Sequence, residues 1–248
     1  MDNMRFNRLG ILVGRGGLQR LAETRVAVFG VGGVGSWTAE CLVRSGIGRV
    51  DLIDADVVTE SNINRQLMAL TSTIGMPKAE ILQRRLLDIN PDADIRVRVD
   101  RYNAETADTF QLSDYDYVID AIDSLADKAL LILRATSTPG VKLFSSMGAA
   151  QKTDASKIGV AEFWKVKGCP LAAALRHRFK RSGRMPARKF KCVFSEEQAA
   201  PRHNDFEADT SGAMMYDKVA VNGAVCHITA IFGMMLASLV FNDVTGRK

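Results

Sequence analysis

The sequence predicts an α/β chain built on one doubly wound, mostly parallel sheet. Short apolar runs alternate with amphipathic stretches from Arg25 to Gly148, the order that lays helices on both faces of a parallel sheet. A glycine loop, Gly30-x-Gly32-x-x-Gly35, joins the first apolar run to the first helical stretch. The second run, Val50 to Ile53, delivers Asp54 at its carboxyl end.

Size and composition agree with this class. At 248 residues and 47% hydrophobic content the chain can fill one core, so residues 1–248 are expected to form a single domain. A charged fraction of 25% excludes general disorder. The net charge is only +5, although the sequence pI is about 9.1. Cys41, Cys169, Cys192 and Cys226 include no C-x-x-C pair, which argues against a four-thiolate zinc site and a secreted disulfide framework. The opening MDNMRFNRLG carries no apolar signal region, so a cytoplasmic location is expected.

Residues 1–24 read as an amphipathic leader helix covering the sheet. Val26, Val28 and Phe29 form the first strand, and a helix is expected to open at Ser36 as N-cap and to close at Gly46. Pro77 suits the first turn of a helix whose apolar positions Ile81, Leu82, Leu86, Leu87 and Ile89 recur at helical spacing until Pro91 stops it. Ile95, Val97 and Val99 alternate with charged residues, as in a half-exposed strand. Tyr117 to Ile119 is a buried strand ending in Asp120-Ala121-Ile122-Asp123. A helix follows over Lys128 to Thr136, and another strand begins at Val141 to Phe144.

The last hundred residues are less regular. A strand over Gly159 to Val166, a helix over Pro170 to Lys180 and a strand at Cys192 to Ser195 extend the sheet toward the C-terminus. Residues 150–220 are read as an inserted basic region, mobile around Pro201 to Thr210. Val219 to Val240 is a long apolar helix, near the roughly 20 residues a bilayer needs. Asn222 and His227 in its first half, with Gly223 and Gly233 suited to close packing on the sheet, favour a core helix or a dimer surface over stable membrane insertion. His227 is read as a satisfied core histidine.

A G-x-G-x-x-G loop before a helix is a phosphate-binding device, because the backbone approaches closely and the helix N-terminus favours negative charge. Alone it fits NAD equally well, with Asp54 on a ribose. The next segment breaks the tie. Asp54-Ala55-Asp56 leads into Ser61-Asn62-Ile63-Asn64-Arg65-Gln66, then Lys78, then a strand end with Asp123 and Ser124. Arginine and lysine beside a glycine loop suit a triphosphate, and a carboxylate at the neighbouring strand end suits Mg2+.

The set GVGGVGS, DxDxVxxSNxNRQ, G-x-P-K and D-x-x-D, spread over residues 25–124, resembles the ubiquitin-activating-enzyme-like superfamily of ATP-dependent adenylating enzymes. The resemblance implies a Rossmann-like fold. It implies that Gly30, Gly32, Gly33 and Gly35 approach the phosphates of ATP, Asp54 binds the ribose, and Asp56, Asn62, Gln66 and Ser124 complete the nucleotide site. Arg65 and Lys78 would neutralise the triphosphate, and Asp123 would hold Mg2+. Arg8, in RFNR, would reach into the site of a second subunit, which implies a homodimer. Asp120 is read separately, as a residue that orients its turn.

Within that superfamily the chain resembles the tRNA threonylcarbamoyladenosine dehydratases. The carriers are LIDADVV…NINRQ, YVIDAIDS, the helix start Gly168-Cys169-Pro170-Leu171-Ala172-Ala173, and Lys191 to Ser195 as K-C-V-F-S. The implied reaction activates the threonyl carboxylate on the modified adenosine at position 37 of tRNA; the carbamoyl group then closes a ring and releases AMP. Asp217 to Val221 stands where some relatives carry a cysteine, so no covalent cysteine intermediate is expected, and Cys192 is read as packing. The resemblance also leaves open a monovalent cation (Na+ or K+) and a sulfur acceptor protein associated with a cysteine desulfurase.

The composition adds an independent observation. Between Lys165 and Lys191 stand ten lysines and arginines and no acid. Arg176, Arg178, Lys180, Arg181, Arg184, Arg188, Lys189 and Lys191 are therefore candidate contacts to an RNA backbone, with Phe179 and Phe190 open as base-stacking or core residues. The rival reading is adenylation of the C-terminal carboxylate of a small sulfur-carrier or ubiquitin-like protein. The absence of paired zinc cysteines counts against it.

Overall fold

A computed structural model of the chain describes residues 4–198 and 222–247. The segments read above as Pro201–Thr210 and Asp217–Val221 lie outside the described residues. Helix α1 (Asn7–Glu23) precedes β1 (Arg25–Phe29), α2 (Gly35–Arg44), β2 (Arg49–Ile53), α3 (Lys78–Ile89), β3 (Asp94–Arg98) and β4 (Tyr117–Asp120). Then come α4 (Leu125–Ser137), β5 (Lys142–Ser146), β6 (Ile158–Glu162), α5 (Pro170–Ser182), β7 (Lys191–Ser195) and α6 (Cys226–Thr245). The seven strands lie in the order β3-β2-β1-β4-β5-β7-β6, all parallel except β6, which pairs antiparallel with β7. Residues 150–198 are thus built into the same sheet as the glycine loop.

Strands β1 and β4 are buried on both faces, and the apolar residues divide into two layers. Val26, Val28, Val50 and Leu52 face α2, α3 and α6, while Ala27, Phe29, Val118 and Leu143 face α4 and α5. A strand covered on both sides reads as a continuous apolar run, so these segments were the plainest in the sequence.

Helix α1 bends at Gly14, whose φ of 70° lies in the left-handed region, and its two halves fold toward each other at Gly10 and Leu18. Helix α2 starts one residue before Ser36, and the expected N-cap is corrected. Val34 occupies the cap; Ser36 Oγ instead donates to Gly32 O at 2.6 Å and accepts from Leu67 N. The serine ties the glycine loop to the later polar turn. Glu40, nearly buried on α2, accepts from Arg85 on α3 and from Arg44, which joins the two helices; these arginines outweigh burial and hold its carboxyl below the ordinary value.

Helix α6 begins at Cys226, so Asn222 and Gly223 precede it rather than lying within it. It is long and apolar enough to cross a membrane by length and composition. In the fold, Ile228, Phe232, Leu236 and Val240 are fully buried, a stripe at i, i+4, i+8 and i+12. At about 1.5–3 kcal/mol for each large apolar side chain, this stripe is among the larger contributions to stability. Gly233 packs against α2 and not, as expected, against the sheet: a Cβ there would lie 2.5 Å from Val34 O. His227 is exposed, a correction to its reading as a core residue, and its Nε2 lies 2.9 Å from Thr153 O.

Candidate nucleotide-binding site

The chain leaves β1 toward β2 on one side and returns through β4 on the other, so a crevice opens above the carboxyl ends of β1 and β4. The glycine loop fills its floor. Gly30 has φ +83°, and a Cβ there would meet Ala121 O at 2.8 Å; at Gly35 a Cβ would lie 1.8 Å from Gly30 O. Only glycine fits either place. Gly32 faces the Gln66 side chain and Gly33 faces Thr229 of α6.

Asp54 ends β2 beneath this loop. Its Oδ2 accepts from Val31 N at 2.7 Å and its Oδ1 from Asp56 N at 2.9 Å. Burial pushes this carboxyl above its ordinary value, while Lys78 pulls it the other way. Lys78 opens α3 nearly buried, with Nζ 2.8 Å from Asp56. The structure therefore joins Asp56 and Lys78 into one ion pair.

The polar turn is shaped by its own side chains. Asn62 is buried and its Oδ1 accepts from Thr59 N, which closes a capping box on the short helical turn Glu60–Asn62. Arg65 donates to Ser61 O at 2.8 Å and Asn64 Oδ1 at 2.9 Å. Desolvation lowers the proton affinity of its guanidinium, and the nearby charge of Asp123 opposes that shift. Gln66 is buried beside the loop, and its Oε1 finds no hydrogen-bond donor.

Asp123 is exposed in the turn after β4, and Ser124 caps α4 without a side-chain bond to its backbone. The fully buried Asp120 positions this turn by accepting from Ile122 N, Ser145 Oγ and Lys128 Nζ, the last two at 2.6 and 2.9 Å. Complete burial raises its carboxyl above the ordinary value against the pull of Lys128. The loop glycines, Asp54, Asp56, Asn62, Arg65, Gln66, Lys78, Asp123 and Ser124 thus share one crevice.

Arg8 does not join them. It is exposed in the first turn of α1, and its neighbours Phe6 and Leu9 reach within 3.8 and 3.7 Å of a Cβ built on Gly46. Gly46 precedes β2, at the edge opposite the crevice, about 17 Å away along a five-residue strand.

The basic run is also elsewhere than its place in the sequence implies. Helix α5 starts beside Gly148, just past β5, and runs about 20 Å down to Gly183. Arg178, Lys180, Arg181, Arg184, Lys189 and Lys191 are exposed on its lower half and beyond. Arg188 is taken out of the candidate RNA contacts, because its guanidinium donates to the carbonyls of Ala135, Thr136, Thr138 and Val141. Arg176 is likewise spent on Phe163 O and Val166 O. Phe179 and Phe190 are core residues packed on Phe163, so neither offers a face to a base. Lys142, Lys189, Lys191 and Arg247 line a cleft of about 380 Å³ at this edge, with Asp243 the only acid among the described residues of its walls. Cys192 is buried, and burial pushes its thiol well above the ordinary range, which fits packing.

Sequence reasoning missed the third wall of the crevice. Gln151 N donates to Gly223 O at 2.8 Å, and Asn64 Nδ2 donates to Ala224 O at 2.8 Å. The start of α6 therefore stands over the polar turn. The rule that sites lie beyond strand carboxyl ends would have marked residues 147–153, after β5, as it marked those after β1, β2 and β4.

A ThiF family model matches residues 6–248. The tRNA threonylcarbamoyladenosine dehydratase of Escherichia coli (strain K12) is 37% identical over 244 residues, 94% of this chain and 91% of that protein. The protein of the same name from Bacillus subtilis (strain 168) is 40% identical over 192 residues, 77% of this chain and 74% of that one. A crystal structure of the Escherichia coli dehydratase in complex with ATP is similar with a TM-score of 0.82 at 35% identity, over 98% of this chain and 94% of that chain. Shared sequence over nearly the whole length, with the same fold around a nucleotide crevice, makes the chain a member of the ThiF family.

Proposed function

We propose that this chain is an ATP-dependent adenylating enzyme that cyclises N6-threonylcarbamoyladenosine at position 37 of tRNA with loss of one water. The observation that carries the reading is the crevice itself: a floor where Gly30 and Gly35 admit no side chain, with Arg65, Lys78 and Asp123 around it. The residues fit ATP. Gln66 lies buried beside the loop, and its Oε1, without a partner among the described residues, is an acceptor that a ribose or amino donor of the nucleotide would satisfy. Asp54 holds the loop from below and offers its carboxylate to the ribose hydroxyls.

Chemistry of this kind is mostly positioning and charge neutralisation. Asn62 holds the turn that aims Arg65, Arg65 and Lys78 balance the triphosphate, and Asp120 sets the turn that presents Asp123. Mg2+ fits at Asp123, since it takes one or two carboxylates and shares phosphate oxygens, and there it would neutralise charge near the α-phosphate. The carboxylate oxygen of the threonyl group bonds to the α-phosphorus and pyrophosphate leaves. The carbamoyl group then attacks the acyl carbon, and AMP departs. The nucleophile belongs to the substrate, so no cysteine is required.

Arg8 stands about a strand length from its own crevice, which supports a homodimer in which it serves the other subunit's site. The exposed basic edge suits the backbone of an RNA arm long enough to span from there to the crevice. A cytoplasmic location goes with such a substrate. The double variant Arg184→Ala, Lys189→Ala is expected to weaken tRNA binding at all sequences alike and to reduce the salt slope by about 2, with ATP binding intact. Unchanged tRNA affinity at moderate salt removes this edge from the reading.

The decisive experiment is mass spectrometry of tRNA nucleosides after incubation with the protein and ATP. Loss of one water from threonylcarbamoyladenosine is the expected result. No such loss, with ATP-dependent pyrophosphate release on a carrier protein ending in Gly-Gly, replaces this reading with adenylation of a protein carboxylate.

A further inference from the structure

Three lysines are buried among the described residues: Lys78, Lys128 and Lys152. Lys78 is paired with Asp56 and Lys128 with Asp120. Lys152 is 3% exposed, and its Nζ has no hydrogen-bond partner. An ammonium taken from water without an acceptor costs stability, so buried cations are normally paired.

The position of Lys152 says which anion. It lies six residues past the carboxyl end of β5, in the segment bonded to the start of α6. The residues on either side of it are clamped. Gln151 is the one non-glycine described residue in the left-handed region, at φ 58°, and its N–H is bonded to Gly223 O. Thr153 O lies 2.9 Å from His227 Nε2 in the first turn of α6. Through Gly223 and Ala224 this wall continues to Asn64, whose Oδ1 holds Arg65. Glu197, whose carboxylate feels the charge of Lys152, turns to the N–H groups of Thr153 and Asp154 and makes no bond to Lys152 Nζ. Such strain and confinement around one residue are features of functional sites.

We propose that Lys152 Nζ receives the carboxylate of the group that is adenylated. This rests on the adenylation reading above. Arg65 and Lys78 stand on the β2 and α3 side of the switch point, where they suit the triphosphate. Lys152 stands on the β5 side, across the crevice. In-line displacement at phosphorus brings the incoming oxygen from the side opposite the leaving group, so a cation across from the triphosphate holds the nucleophile and not the leaving pyrophosphate. It also offsets the repulsion between two anions that must meet. In that step a carboxylate oxygen bonds to the α-phosphorus, the bond from phosphorus to the bridging oxygen breaks, and pyrophosphate leaves with the electron pair.

The test is Lys152→Met, which keeps the length of the side chain and removes the charge, assayed with ATP and tRNA bearing threonylcarbamoyladenosine. AMP formation is expected to fall by about 100-fold, the scale of a lost hydrogen bond to a charged group, with the Kd for ATP unchanged. The melting temperature is expected to rise, because an unpaired buried charge has been removed. AMP formation at the wild-type rate overturns the proposal. A comparable loss of ATP affinity assigns the lysine to the triphosphate and overturns it as well, and so does a variant that fails to fold. Wild-type protein that releases no AMP with this tRNA refutes the adenylation reading itself, a separate outcome.

Discussion

Arg65→Ala is expected to abolish AMP formation in a protein that stays folded. The guanidinium is held by Ser61 O and Asn64 Oδ1 within its own turn, and it feels the charge of Asp123 across the crevice. Deleting it removes bonds local to an exposed turn, so the cost in stability should stay near 1 kcal/mol. Its loss in the transition state is far larger. A cation preorganised against a transferring phosphoryl group is worth about 1,000-fold or more in rate. Asp123→Ala should give a similar loss, since its carboxylate stands exposed in the turn after β4, where it acts on Arg65. The measurements are AMP release by chromatography and a thermal melt by circular dichroism. Normal AMP release from either folded variant would remove these residues from the site.

Gly35→Ala is expected to do the opposite kind of damage, to the fold and to ATP binding together. The new Cβ would stand 1.8 Å from the carbonyl oxygen of Gly30, a backbone atom fixed by a loop that must also clear Ala121 O. No rotamer relieves such a contact, so the N-terminus of α2 must move off the loop. A destabilisation above about 3 kcal/mol follows, at the top of the range for point substitutions. ATP affinity should drop with it, because the displaced helix end is the one that faces the phosphates. Gly33→Ala is the internal control. Its Cβ meets Thr229 Cβ and Cγ2 at 3.2 Å, a contact relieved by a few tenths of an ångström, so the loss of stability should be much smaller. Urea unfolding and a calorimetric ATP titration compare the two. Equal stability and affinity in Gly35→Ala and the wild type would contradict the close packing of loop and helix.

Much of this was legible in the chain. Strands β1 and β4 are short apolar runs because both faces are covered, and such runs announce themselves without any partner being known. Asp54, Arg65, Lys78 and Asp123 were legible for a related reason. A parallel strand presents whatever follows its carboxyl end to one edge, so residues far apart in sequence are brought to a common crevice by a rule of topology. Ser36 was misread because a serine at a helix start can accept from a backbone N–H as a cap or donate to a carbonyl, and the loop geometry set it to donate to Gly32 O.

What the sequence determined by itself, then, is the alternation of elements, the glycine floor and the charged residues placed above it. Periodicity, glycine spacing and strand-end position are local or topological properties. Only the tertiary structure decided where the basic run lies, that Arg188 and Arg176 serve backbone carbonyls, and that Arg8 cannot reach its own crevice. It also decided that Lys152 is a buried ammonium without a partner. Exposure, pairing and distance between segments are set by how elements pack, and a long-range carbonyl or a missing carboxylate leaves no pattern in a single chain of letters.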